Sequence, residues 1–198
     1  MKNWLAVASL GVVAGFAVSA AADDNDHGGL NRAQRVFRAE LVGFNEVPSV
    51  STGAHGRFYA VLNNDETELT YWLSFSGLTV PTSQSHIHFG QHHTNGGIVV
   101  WLCEGTLQSP ATSTPACGPT GSKEGEVSGV ITATEVTGLA VGTLNQGISS
   151  GEFAELIAAM RAGAAYANVH SGVAGNPNAT PPTQTVGFPG GEIRGQIH

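Results

Sequence analysis

Much of the chain shows a two-residue alternation of hydrophobic and polar positions, which is typical of half-buried β-strands. Between 69 and 76, for example, leucine and aromatic residues alternate with threonine, tryptophan and serine. Turn-forming residues separate such runs, and the stretch Asn63–Thr67 is expected to close a hairpin between the strands predicted at 56–62 and 68–76. The pattern predicts strands over 36–41, 56–62, 68–76, 85–89, 97–103, 125–133, 167–170 and 191–197.

One segment departs from this alternation and predicts a helix. Ser149 and Glu152 have the spacing of a capping box, in which two residues satisfy each other's backbone N–H groups at a helix start. Hydrophobic residues then recur every three or four positions, and Gly163 occupies the place of a C-terminal stop. We therefore expect one amphipathic helix near 150–163.

The order of these elements predicts the fold class. Many short strands, frequent turns and a single helix favour a mainly β protein over an alternating α/β sheet. We expect an antiparallel β-sandwich with Greek-key-like connections, built as a single domain over 35–198. The stretch 171–190 is rich in proline, glycine and threonine, and it is expected to form a long loop that carries a glycosylation sequon at Asn178.

The N-terminal residues 1–22 have the features of a secretory signal peptide. Lys2 precedes an apolar run that is short for a membrane span, and Ala20-Ala21-Ala22 offers small residues for cleavage. After cleavage, a flexible polar lead-in is expected over 23–34. The protein is therefore expected to be secreted or periplasmic, without stable membrane insertion once the signal is removed.

The charge balance narrows the range of partners. The formal net charge is −7, and removal of Lys2 with the signal leaves 8 − 1 = 7 basic residues against 15 acidic ones. This balance, with scattered arginines and no basic stripe, argues against nucleic acid and against docking on anionic lipid.

The two cysteines, Cys103 and Cys117, flank a segment rich in serine, threonine and proline. In an oxidising compartment, two cysteines that flank a loop are expected to form a disulfide with each other. A metal-ligating role is disfavoured because their separation matches no zinc motif.

Four of the eight histidines lie between 86 and 93. On a strand, His86 and His88 point to the same face, which gives a metal ion two ligands from one rigid element. His170, on a short strand predicted after the helix, would complete a three-histidine site suited to copper or zinc. His92 and His93 follow in a turn, where they could supply an additional ligand or remain solvated. The alternative is that His86 and His88 form neutral hydrogen bonds at a polar strand end.

Near the C-terminus, Glu192 and Arg194 share one face of the predicted last strand. They could form an ion pair of little energetic weight. Alternatively, Glu192 could orient a metal-ligating histidine by hydrogen bonding to its second ring nitrogen. Both roles are compatible with the spacing.

Residues 147–151 read Gly-Ile-Ser-Ser-Gly and match the G-x-S-x-G spacing of a hydrolase nucleophile elbow. No parallel βαβ pattern surrounds the motif, and no aspartate follows Asp65 to serve as the acid of a triad. We therefore interpret these residues as part of the helix start rather than as a catalytic site.

Five of these segments resemble, in the same order, the CHRD domain, which is named after chordin and occurs in secreted bacterial proteins. The matching stretches are AELVGFNEVPSVSTGAHGRFYAVLN (39–63), LTYWLSFSGL (69–78), SHIHFGQHHTNGGIVVWLC (85–103), FAELIAAMRAGAAYANVHS (153–171) and GGEIRGQI (190–197). The resemblance implies an extracellular or periplasmic β-sandwich. The family pattern includes Asn45, Glu46, Pro48, His86, His88, Asn168, His170, Glu192 and Arg194.

One departure from the family pattern concerns the loop 171–190, which is longer and richer in proline than the family's short connection. This loop could cover or open a site built from His170 and Glu192.

Two functions are expected from these observations. The first is an extracytoplasmic protein that binds copper or zinc through the histidine cluster. The second is a non-enzymatic envelope or adhesion module, with structural histidines, that binds an extracellular protein or glycan through aromatic residues such as Tyr59, Trp72 or Trp101. No catalytic residue is assigned; if the protein were an enzyme, its expected chemistry would be a copper- or zinc-dependent redox reaction.

Overall fold

The computed structural model of the chain describes residues 34–110, 113–139, 146–175 and 184–198. The predicted signal peptide, the lead-in as far as residue 33 and the sequon at Asn178 lie outside the described residues. Within the described ranges, no helix combines the length and the hydropathy that a membrane span requires.

Eight strands and one α-helix form the described part of the fold. Their bounds are β1 (Val36–Val42), β2 (His55–Leu62), β3 (Leu69–Ser76), β4 (Thr82–Phe89), β5 (Gly97–Glu104), β6 (Gly125–Ile131), α1 (Phe153–Arg161), β7 (Ala165–Ser171) and β8 (Ile193–Gln196). The predicted mainly β fold with one helix is confirmed.

All of the strand pairs are antiparallel and belong to one sheet, in the order β5-β4-β7-β8-β1-β2-β3-β6. The sheet curls until its edge strands β5 and β6 approach each other, so the architecture is a nearly closed, barrel-like sandwich. The C-terminal strands β7 and β8 are inserted between β4 and β1. This insertion brings segments that are distant in sequence side by side.

The strands differ in how many of their faces are buried. In β1 the burial alternates strictly, with Phe37, Ala39 and Leu41 in the core and the intervening residues exposed. In β7 and β8, by contrast, every residue is buried, and β4 is buried along most of its length. The second face of these three strands must therefore be covered by something other than the hydrophobic core.

The helix ends where the sequence predicts, but it starts a few residues later than predicted. It starts at Phe153, and only half of the predicted capping box forms: the Glu152 carboxylate accepts a 2.6 Å hydrogen bond from the Ser149 N–H, but no side chain caps the first turn. At the other end, Gly163 has a φ of +64°, and its N–H donates to the Met160 carbonyl. The predicted glycine stop is confirmed.

Cys103 and Cys117 form the predicted disulfide, with their Sγ atoms 2.06 Å apart. Both residues belong to the buried core. Backbone hydrogen bonds between Glu104 and the segment 115–117 hold the enclosed loop against β5. The bridge therefore ties this loop to the edge of the sheet.

Replacing both cysteines with alanine should lower the free energy of unfolding by about 3 kcal/mol, because the open chain gains loop entropy when it unfolds. Urea denaturation followed by tryptophan fluorescence measures this change. Reduction of the wild-type protein is the matched control, and it should shift the midpoint in the same direction. An unchanged midpoint in the double variant would contradict the expected role of the bridge.

Candidate metal centre

The candidate site lies on the face of β4, β7 and β8 that points away from the hydrophobic core. Residues directly opposite each other in paired strands share a face. His86 is opposite both Trp101 and Asn168, and Asn168 is opposite Arg194. The neighbouring row of the same face contains His88, Tyr166 and Gln196.

Loops cover this polar face. The carbonyl groups of Gly96 and Pro189 approach it from the segments that follow β4 and precede β8. Asn95 donates a 3.0 Å hydrogen bond to the Val47 carbonyl, which joins the loop after β4 to the loop after β1. As a result the histidines of the face are nearly excluded from solvent, with exposures of 0% for His86, 8% for His88 and 6% for His170.

The structure brings His170 to His86 and His88, although it lies 82 positions after the nearer of the two in sequence. His86 Nδ1 lies 3.2 Å from His170 Nε2, and one ligand atom from each histidine lies within 4.8 Å of the others. Two nitrogens bound to one tetrahedral zinc ion are about 3.3 Å apart, since each bond is about 2.0–2.1 Å. With His86 Nδ1 as the ligand atom, one pair therefore already has the required separation, and the third ligand atom would have to move inward.

Hydrogen bonds to carbonyl groups determine where the imidazole protons lie. His88 Nδ1 is 2.9 Å from the Gly96 carbonyl, and His170 Nδ1 is 2.9 Å from the Pro189 carbonyl. A carbonyl can only accept, so both Nδ1 atoms carry the proton and both Nε2 atoms present a lone pair. His88 Nε2 and His86 Nε2 have no hydrogen-bond partner among the described residues. This is the arrangement in which carbonyl partners orient metal-ligating histidines.

Burial keeps the three imidazoles in the neutral form that binds metal ions. Loss of solvent lowers the pKa of His88 to about 3 and that of His170 to about 4. The same cause, strengthened by the neighbouring histidines, lowers the pKa of His86 well below its usual value. Near neutral pH, protons therefore do not compete with a metal ion for these nitrogens.

Aromatic rings hold two of the imidazoles in place. The Trp101 ring meets His86 edge-to-face, with centroids 4.3 Å apart. Tyr166 stacks on His88 at 4.8 Å, and the Arg194 guanidinium lies 3.4 Å from the centroid of the same tyrosine ring. This packing limits rotation of the imidazoles and so preserves the direction of their lone pairs.

The other residues singled out in the sequence lie apart from the three histidines. His92 and His93 are exposed, with ring centroids 5.7 Å apart, and neither belongs to the group that could hold a metal ion. Arg194 donates a 2.9 Å hydrogen bond to the Gln91 carbonyl. In the part of the chain that the structure describes, no ion pair joins Arg194 to Glu192.

Glu192 is fully buried, but its hydrogen bonds lead away from the histidines. Its carboxylate accepts from Thr52 Oγ1 at 2.8 Å, from the Thr79 N–H at 2.9 Å and from Thr79 Oγ1 at 3.1 Å. Ser171 Oγ also donates to it. The contacts therefore connect three chain segments, and none of them orients an imidazole.

Two kinds of residue near the site were not assigned a role from the sequence. Asn168 precedes His170 by two positions on the predicted strand 167–170, so the same-face rule could have identified it. Tyr166 lies one residue before that predicted strand and joins the same face because β7 begins at Ala165. Glu46, which accepts a 2.6 Å hydrogen bond from Asn168 Nδ2, comes from the loop after β1. No local pattern places Glu46 near the histidines, because the contact spans 122 residues.

These features define a mainly β protein whose nearly closed antiparallel sheet carries a buried three-histidine cluster under loops. The family model of the CHRD domain matches residues 37–178, which is more than half of the 198-residue chain. The chain belongs to the CHRD domain family, as the resemblance predicted. The match includes all three histidines and ends before β8. No curated protein matches the chain.

Proposed function

We propose that this CHRD-domain protein binds copper or zinc outside the cytoplasm through His86, His88 and His170. The observation that carries the proposal is the orientation of the buried imidazoles: carbonyl groups hold the Nδ1 protons of His88 and His170, so both Nε2 atoms present a lone pair. His88 Nε2 has no partner among the described residues, and His170 Nε2 accepts a 3.2 Å hydrogen bond from His86 Nδ1. Buried polar atoms usually have a hydrogen-bond partner. The Nε2 atoms of His86 and His88 have none among the described residues, which supports a role in binding a metal ion.

The set of donors favours these two metals. Imidazole nitrogen suits zinc and copper, whereas calcium and magnesium prefer oxygen ligands. The group contains no carboxylate, and both thiols of the chain are consumed in the disulfide. Three protein ligands leave a fourth position for water or a substrate, and copper there would permit the redox chemistry considered from the sequence.

The extracytoplasmic location is part of the same proposal. A disulfide persists in an oxidising compartment, and family membership is compatible with secretion. The signal-like residues 1–22 support the same location.

The protein, produced without a histidine tag, should bind about one equivalent of copper or zinc when it is titrated and then desalted. His86→Ala and His170→Ala should each lower metal retention at least about tenfold, because removal of one of three ligands leaves a two-coordinate site. Elemental analysis after dialysis measures the retained metal.

The control is the variant His92→Ala/His93→Ala, which removes two imidazoles from the exposed turn, one more than either site variant, and should still retain metal like the wild type. Retention below about one tenth of an equivalent in the wild type would refute metal binding. That result would favour the alternative, a non-enzymatic module with structural histidines. The tilted pair Tyr59 and Trp72, partly exposed on the outer sheet face with centroids 5.6 Å apart, would be its first candidate contact surface.

A further inference from the structure

Glu46 is a buried carboxyl group beside the histidine cluster. It is only 6% exposed, and Asn168 Nδ2 donates to its Oε1 atom at 2.6 Å. Asn168 is in turn the cross-strand neighbour of His86 and lies two positions before His170 on the same face of β7. A single side chain therefore separates the Glu46 carboxyl group from two of the three histidines.

The surroundings of Glu46 offer little compensation for a negative charge. The groups that face it are Asn168 and Tyr166 on β7, Arg194 on β8 and the backbone N–H of Val47. Among the described residues Arg194 forms no ion pair with it. Burial raises the pKa of Glu46 to about 7, although Arg194, Asn168 and Val47 act in the opposite direction.

The backbone of Gly191 lies directly against the Glu46 carboxyl group. Gly191 has a φ of +128°, and a Cβ atom at this position would lie 2.6 Å from one Glu46 carboxyl oxygen and 2.8 Å from the other. The close approach leaves no room for a side chain at this position and holds the carboxyl group beside Asn168. With only 6% of Glu46 exposed, nearby fixed charges act strongly on its carboxyl group.

The three histidines alone would leave a divalent ion without a counter-charge. All of them are neutral in their buried form, and the group contains no acidic residue. Burying an uncompensated charge is costly, so a nearby group that can become negative would strengthen binding. Arg194, a buried cation, cannot do so.

We propose that Glu46 supplies the counter-charge of the histidine site by giving up its proton to the solvent when a divalent metal ion binds. The inference rests on the proposed metal binding and adds a proton-coupled residue to it. Across one intervening side chain, a separation on the order of 8 Å, two positive charges lower the proton affinity of a carboxyl group by about two to three orders of magnitude.

The test is isothermal titration calorimetry with zinc chloride in buffers of different ionisation enthalpy, which counts the protons released per bound ion. The protein carries His92→Gln/His93→Gln, so that the exposed pair contributes no protons. Release should be about nine tenths of a proton at pH 6, about half at pH 7 and almost none at pH 8.5, as a group with a pKa of about 7 in the free protein requires.

The matched variant adds Glu46→Gln, whose amide oxygen can still accept from Asn168. It should bind zinc with almost no proton release at pH 6, and its affinity should be lower than that of the parent at pH 8.5, where only the parent carries the negative charge. Ionisation of a zinc-bound water would increase with pH, which is the opposite trend.

The outcomes separate the two proposals. Zinc binding without proton release at pH 6, or with the same release in the Glu46→Gln variant, would overturn the role of Glu46 and leave the metal site standing. Absence of zinc binding by the parent protein would overturn both. Should Glu46→Gln fail to fold, difference infrared spectroscopy of the parent decides the matter: the carbonyl band of a protonated carboxyl group must disappear on zinc addition at pH 6, and its persistence would refute the proposal.

Discussion

Acidification of the metal-free protein from pH 7 to pH 4 should lower its free energy of unfolding by about 3 kcal/mol or more. The cause is the burial of three neutral imidazoles, which lowers the pKa of His88 to about 3 and that of His170 to about 4. An imidazole in the unfolded chain binds a proton near pH 6.5. Between pH 6.5 and 4 the unfolded state therefore binds more protons than the folded state, and stability falls as the pH falls.

The individual contributions partly cancel. His88 and His170 each account for a loss of about 3 kcal/mol over this range, and His86 acts in the same direction. Glu46 acts in the opposite direction, because its pKa of about 7 means that the folded state retains a proton that the unfolded chain loses above pH 4.5. Its stabilising contribution is fully present at low pH and is lost as the pH rises through 7, so it offsets about 3 kcal/mol of the histidine effect on acidification.

Urea denaturation at a series of pH values measures this dependence. His88→Gln should flatten the profile between pH 6.5 and 4, since glutamine does not titrate. The exposed control His92→Gln should leave the slope unchanged. A wild-type protein whose stability is constant down to pH 4 would show that the imidazoles are hydrated or charged in the folded state.

The substitution Glu192→Ala should destabilise the fold by about 3–5 kcal/mol. Its carboxylate is fully buried and accepts hydrogen bonds from Thr52, Thr79 and Ser171, which belong to three different segments of the chain. Hydrogen bonds to a charged group are worth about 1.5–3 kcal/mol each and are not additive. Removal of the acceptor would leave the buried donors unpaired and would loosen the loops before β2 and β4.

Thermal and urea unfolding measure the effect of this substitution. Glu192→Gln keeps the shape and one acceptor oxygen, so its stability should lie between those of the wild type and the alanine variant. Glu40→Ala is the matched surface control, because the ion pair of Glu40 with Arg57 is exposed and should contribute at most about 0.5 kcal/mol. A Glu192→Ala protein as stable as the Glu40→Ala protein would contradict the anchoring role.

Features governed by neighbours along the chain were predictable from the sequence. Alternating hydrophobicity located the strands, and strand geometry placed His86 and His88 on one face. The helix end at Gly163 was predictable for the same reason, since a C-terminal glycine cap depends on a few consecutive residues. The helix start was predicted a few residues too early, because the Ser149–Glu152 spacing forms only half of a capping box before the first turn.

The composition of the candidate site was decided by tertiary structure. Alternation specifies which face of a strand is buried but not which strand lies beside it, and the insertion of β7 between β4 and β8 places His170 and Asn168 next to His86. The same limit explains Glu192: the sequence predicted it on the last strand, but β8 begins at Ile193, and the partners of Glu192 come from loops that no hydrophobic period describes. By itself, then, the sequence determined the family, the strands and the histidine pair on β4. The third histidine, the buried Glu46 and the covering loops depend on contacts between residues far apart in the chain, which only the folded sheet brings together.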